Sequence, residues 1–238
     1  MKKVILSIMT AAAMCVCSHA EAKVTVTPLG EKPESTMQKK VSNANILVNE
    51  DFSAWENGSI DEPEWGEPFA TYDNTNINPE FTHGEQWTGN KCYAAGGACA
   101  LRTFDPMSSA YIATPKMDYS GSLVITFLAK YQLVEWEDED GSKWHWTGSS
   151  INLEFENDGG NVFETNENED IRDAGQLANV ITSIRLYEND GWCEVKVELD
   201  NYSAYNDASL IFFTSAGILI DDIKITSSID NFIASPII

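Results

Sequence analysis

The chain has 238 residues, with 37 acidic side chains against 15 basic ones and a formal net charge of −22. That excess repels phosphate backbones and anionic lipid surfaces, so nucleic acid is not an expected partner. The same carboxylates serve either solubility alone or the binding of a hard cation such as calcium.

Residues 1–22 read as a secretory signal peptide. Lys2 and Lys3 precede an apolar run from Val4 to Cys17, and Ala20-Glu21-Ala22 fits the small-residue cleavage pattern. Ser18-His19-Ala20 offers a second cut. Met14 and Val16, which precede Cys15 and Cys17, are not the small residue that a lipoprotein signal needs, so lipid anchoring is set aside. Cleavage after Ala22 removes Lys2, Lys3 and Glu21, taking the 15 basic and 37 acidic side chains to 13 and 36. No later run reaches the roughly 18 apolar residues that cross a bilayer. The expected product has no transmembrane segment and is secreted or held at the cell surface.

Residues 23–44 carry Pro28, Gly30 and Pro33 without sustained apolar periodicity and read as a disordered lead-in. From Asn45 onward, short β-rich runs alternate with Gly, Asn, Asp and Pro. Candidate strands are 45–52, 91–95, 98–104, 109–114, 122–132, 150–157, 180–187, 192–199, 208–214 and 217–227. Only 170–179 has helical composition, and Gly175 interrupts it. The domain expected over 45–228 is too long for a minimal immunoglobulin-type unit of roughly 100 residues and suits a jelly roll. Two stretches, 53–90 and 134–149, read as long loops or insertions. Residues 229–238 end in an apolar Ser-Pro-Ile-Ile and form either a tail or the start of a further C-terminal domain.

Cys92 and Cys99 flank a turn-prone Tyr-Ala-Ala-Gly-Gly-Ala stretch. A two-residue hairpin loop at Ala95 and Gly96 would oppose them directly and allow a disulfide. The alternative is three unpaired thiols, Cys193 included, acting as small apolar residues.

The segments ILVNEDFSAWENGS, YAAGG, AYIATPKMDYSG with ITFLAKY, and ILIDDIKI resemble, in their order and spacing over 45–228, secreted bacterial jelly-roll modules. These are the carbohydrate-binding-module-like domains of multidomain surface proteins, often followed by fibronectin type III domains. The resemblance implies an all-β jelly-roll sandwich of galactose-binding or concanavalin-like type, a structural calcium ion near the first and last strands, and binding of a glycan or a cell-surface ligand.

Calcium can also be argued from the residues. In a strand over 46–52, Glu50 shares a face with Ile46, Val48 and Phe52; in the last strand Asp221 shares one with Leu219, Ile223 and Ile225. A charged carboxylate facing a core is costly unless paired or bound to metal, and the basic residue nearest in sequence, Lys224, falls on the face opposite Asp221. Glu50 and Asp221 are therefore expected to share one Ca²⁺, with Asn57 or Asp61 adding ligands. The other reading has both carboxylates reach solvent at strand ends.

Aromatics form a second group. Trp136, Trp144 and Trp146 lie beside the acidic run Glu135 to Asp140, with His145 as a candidate ligand-contacting donor; Trp55, Trp65, Tyr72 and Trp87 occupy the earlier long loop. Flat rings stack on sugar faces while Asp, Asn and Glu satisfy hydroxyls. Rings also anchor loops and cap sandwich cores.

Catalysis is less well supported. Glu135, Glu137 and Glu139 alternate, as do Glu154, Glu156 and Asp158, and a retaining glycosidase needs two carboxyl groups about 5–5.5 Å apart. The first trio reads as a solvated loop and the second as the outward face of an antiparallel strand. His83 and His145 belong to no metal-spacing or nucleophile motif. The expectation is an extracellular, non-catalytic binding module, with a β-sandwich glycosidase or a purely structural spacer as alternatives.

Overall fold

In this computed structural model the described residues are 22–33, 44–64, 75–84, 86–103, 109–145, 147–157 and 180–228. Residues 1–21 of the expected signal peptide, the candidate helix 170–179 and residues 229–238 lie outside them.

Among the described residues the strands are β1 (Lys23–Gly30), β2 (Ala44–Glu50), β3 (Thr75–Asn76), β4 (Thr88–Asn90), β5 (Cys92–Ala94), β6 (Cys99–Arg102), β7 (Ala110–Ala113), β8 (Met117–Tyr131), β9 (Glu135–Glu137), β10 (Lys143–His145), β11 (Gly148–Asn157), β12 (Val180–Tyr187), β13 (Trp192–Thr214) and β14 (Gly217–Ser228). One layer runs β1, the first half of β13, β8, then β14. Beyond β14 lie β6 and β5 along its start and β2 along its end. The other layer runs β3, β4, β7, the second half of β13, β11, then β12. All of these pairings are antiparallel, and the all-β jelly-roll sandwich expected from the sequence is the fold observed.

Alternation explains how the layers close. On β8, Leu123, Ile125, Phe127, Ala129 and Tyr131 are buried; on β13, Val195, Val197 and Leu199 from one layer face Leu210 and Phe212 from the other. Phe127 meets Phe212 edge-on at 5.3 Å between ring centroids, and Tyr119 meets Phe155 at 4.9 Å. Ring pairs in these tilted geometries add to the area they bury.

Four local expectations change. The lead-in begins with an ordered strand: β1 lies along the edge of β13 from Glu198 to Trp192, although every residue in it is exposed. Backbone pairing and the Lys23–Glu198 ion pair at 3.1 Å hold it there. Where β1 ends, Gly30 and Gly191 pass so closely that a side chain on Gly191 would strike the Gly30 carbonyl. The supposed loop 134–149 contains a hairpin, β9 paired with β10, turning through Gly141 at φ +84°.

The third change concerns β14. Asp222 adopts φ 47°, and the pairing with β8 shifts between Asp221 and Lys224. This bulge reverses the alternation. Ile218 and Ile220 before it, and Ile223 and Ile225 after it, all enter the main core, so Asp221 does not share a face with Ile223. It stays with Leu219, which packs on the outer side of the sheet with Tyr93, Ala95, Ala98, Ala100, Leu128 and Trp192.

The fourth is the cysteine hairpin. Cys99 opposes Ala94 and Cys92 opposes Leu101, leaving a four-residue loop closed by Ala95 N–H donating to Ala98 O at 3.0 Å. The expected two-residue loop is thus replaced, and Cys92, Cys99 and Cys193 are buried free thiols. Cys92 donates to the Tyr111 carbonyl at 3.0 Å, and burial together with the adjacent Cys92 holds the Cys99 thiol well above its ordinary pKa.

Candidate functional site

Three segments meet at one end of the sandwich: the exit of β2, the loop between β5 and β6, and the bulge in β14. They enclose a cleft of about 400 Å³ lined by Lys32, Asp51, Ser53, Glu56, Gly96, Gly97, Asp221 and Asp222. Four of those eight residues carry carboxylates. The loop after β2 is tied to the hairpin by Gly96 N–H to Asn57 O at 2.9 Å and Gly97 N–H to Trp55 O at 2.8 Å.

Asp221 is almost wholly buried, and its partner is Lys32. The Lys32 ammonium forms an ion pair with Asp221 Oδ2, donates to Gly97 O at 2.9 Å, and lies 5.7 Å from the centre of the Trp192 ring. Sequence reasoning missed this cation because it sits in the segment read as disordered, far from Asp221 along the chain. Burial pushes the Asp221 carboxyl up to about 7, opposed by Lys32 and reinforced by Asp222. Asp222 is raised as well, first by burial and then by Asp51, against the pull of Lys32.

Glu50 faces inward as expected, beside Val48, while Ile46 on the same expected face is 53% exposed. It turns away from the cleft. Oε1 accepts the Phe52 N–H at 2.8 Å and Oε2 the His83 N–H at 2.5 Å. Phe52 makes this possible by adopting φ 49°, an unfavourable backbone for a bulky residue, with its ring seated against Trp55 and Trp87. Burial raises the Glu50 pKa, countered by the two amides and by the His83 imidazole. Asp51 is pushed up by burial, but the hydrogen bonds from Ser53 outweigh it and the net shift is downward. Glu50, Asp51 and His83 present donor atoms that lie within 4.8 Å of one another.

The expected calcium ligands are therefore distributed. Glu50 and Asp221 are both buried on neighbouring strands, with Glu50 registered opposite Ile223. Asn57 and Asp61 are exposed and do not line the cleft.

Among the aromatics, the backbone register of the hairpin pairs Trp136 with Trp144 and Glu135 with His145, and His145 is exposed. Trp146, Trp65 and Tyr72 lie outside the described residues. Trp55 and Trp87 are fully buried; the Trp55 indole N–H donates to Phe81 O, so both serve the core. Glu154 is also wholly buried, which corrects its expected outward, solvated position: the outer face of its layer is covered, Ile211 and Phe213 being buried on the neighbouring β13. Glu135, Glu137 and Glu139 are exposed.

No protein-family model matches the chain, and no curated protein does. Several solved structures superpose on it. One is the C-terminal family 6 carbohydrate-binding module of a laminarinase from Zobellia galactanivorans, 15% identical, covering 59% of this chain and 88% of that one, with a TM-score of 0.33. Another is the K3 cleaved adhesin domain of Lys-gingipain from Porphyromonas gingivalis, 16% identical, covering 77% of this chain and 99% of that one, with a TM-score of 0.38. A third holds the family 22 carbohydrate-binding and family 10 glycoside hydrolase modules of a Clostridium thermocellum xylanase with xylohexaose, 12% identical over 76% of this chain, with a TM-score of 0.38. This chain spans 28% of that xylanase structure.

Proposed function

We propose that the chain is an exported, non-catalytic binding module for a carbohydrate or other cell-surface ligand, carrying a structural calcium ion. The leader-like residues 1–22 support export. The observation that carries the binding role is the β9–β10 hairpin, a two-stranded sheet separate from the sandwich, in which Trp136 is registered with Trp144 and the described flanking residues Glu135, Glu137 to Lys143 and His145 are exposed. Rigid aromatic positions among polar donors and acceptors are the composition that sugar faces require.

The acidic cleft supports calcium. In it an ammonium stands between a buried carboxylate and a backbone carbonyl, Asp221 and Gly97, two oxygen donors of the kind calcium takes. Glu56, Asp221 and Asp222 with the Gly97 carbonyl would hold the ion, and Lys32 would leave. Its contribution is to neutralise carboxylates that folding brings together and to fix the loop after β2 against the β5–β6 hairpin.

The test is a glycan array probed with the purified chain, with and without calcium, beside the Trp136→Ala and Trp144→Ala variants. Retention on a defined glycan class is expected, lost in both variants at unchanged melting temperature, and without release of reducing ends. Equal retention by all three proteins removes the hairpin as the binding surface.

A further inference from the structure

Glu50, Asp51 and His83 converge beside the acidic cleft, sharing only Asp51 with its wall, and the imidazole makes this a donor set unlike the all-oxygen shell of calcium. His83 Nδ1 lies 3.4 Å from Glu50 Oε1 and 3.5 Å from Asp51 Oδ1. A tetrahedral zinc ion with bonds of about 2.0–2.2 Å to nitrogen and carboxylate oxygen separates its ligands by about 3.3–3.5 Å. The two measured edges match that spacing. The third, between the carboxylates, falls within the 4.8 Å limit of the group.

The surroundings are those of a held ligand set. The Glu50 side chain is wholly buried, and its two oxygens are oriented by the Phe52 and His83 backbone N–H groups, leaving a lone pair on Oε1. Asp51 Oδ1 accepts the Ser53 N–H at 3.0 Å, which fixes its direction in the same way. Hydrogen bonds of this kind, one step removed from a metal, set ligand orientation. The His83 side chain is 51% exposed, so one side of the group is open to water. Among the described residues no Lys or Arg forms an ion pair with Glu50 or Asp51. Two carboxylates therefore face one imidazole.

We propose that Glu50 Oε1, Asp51 Oδ1 and His83 Nδ1 form a binding site for a first-row divalent metal, zinc in the first instance, with the remaining position open to water. The imidazole nitrogen selects a borderline metal over calcium or magnesium, which prefer all-oxygen shells. The imidazole would ligate through Nδ1, with its side chain 51% exposed. The site adjoins the Asp221 cleft through Asp51, uses none of Lys32, Asp221 or Asp222, and does not depend on a sugar ligand.

Cobalt(II), a spectroscopic substitute for zinc, is titrated into the purified chain and followed by its visible d–d absorption, with zinc affinity measured by calorimetry. One-to-one binding is expected, with the absorption pattern of low coordination number and one nitrogen ligand. His83→Gln keeps the backbone N–H to Glu50 and removes only the imidazole; Asp51→Asn keeps an oxygen for Ser53. Each is expected to weaken zinc by about tenfold or more. Binding that His83→Gln does not alter overturns the proposal. So does displacement of cobalt by excess calcium, which would merge the two sites. If neither metal binds, the group is a hydrogen-bonded imidazole–carboxylate cluster and the proposal fails.

Discussion

Lys32→Met removes the ammonium facing Asp221 while keeping an apolar stem beside Trp192. The Asp221 side chain is 2% exposed, and its carboxyl titrates at about 7 instead of 3.8 because burial outweighs the lysine. The folded state thus binds a proton that the unfolded chain has released between those values. This group's contribution to stability is fully present below the unfolded pKa and is lost as pH rises toward 7. The displacement corresponds to about 4 kcal/mol at most. Without Lys32 the midpoint climbs further, and at about pH 8 the variant must either bury an unpaired carboxylate or take up a proton. The expected loss there is about 1–3 kcal/mol, below the 3–5 kcal/mol typical of a broken buried pair because Lys32 is 27% exposed and protonation relieves the charge. At about pH 5 Asp221 is neutral in both proteins and the loss falls below about 0.5 kcal/mol. Urea denaturation at the two pH values measures the difference, and at the higher pH saturating calcium is expected to stabilise the variant more than the wild type. Equal losses at both pH values would refute the assignment of Lys32 as the counter-charge of Asp221.

Two other substitutions test the frame around the site. Gly191→Ala sets a side chain against the Gly30 carbonyl at a backbone φ of 66° and is expected to cost about 1–3 kcal/mol; limited proteolysis should then cut within residues 23–33 while the sandwich stays intact. Trp55→Ala empties a fully buried position and is expected to cost about 3–5 kcal/mol by thermal or urea unfolding, a loss that Trp136→Ala in the exposed hairpin should not share.

How legible the molecule is from its residues depends on whether the deciding contact is local. Period-two alternation placed most of the strands, since the apolar side chains that define it, such as Leu123 to Tyr131, act within one segment. It also turned Glu50 inward correctly. It could not see the bulge at Asp222, because nothing in Ile-Asp-Asp-Ile specifies a positive φ; only the packing of Ile223 and Ile225 in the same core as Ile218 and Ile220 requires it. Nor could it pair Asp221 with Lys32, which the docking of β1 on β13 brings across the chain. Trp55 and Trp87 sit in a polar loop whose sequence looks solvated, yet the loop folds back over the sandwich end around Phe52. Glu154 misled for the opposite reason: alternation gave its face correctly, but whether that face meets water depends on residues elsewhere that cover it.

The 23-residue strand β13 hydrogen-bonds with β1 and β8 in one layer and with β7 and β11 in the other. A sandwich whose halves touched only through side chains could lose one half while the other survived. Here a continuous backbone stitches them together, so shear applied to either half is borne by both, and the domain is expected to melt as a single cooperative unit.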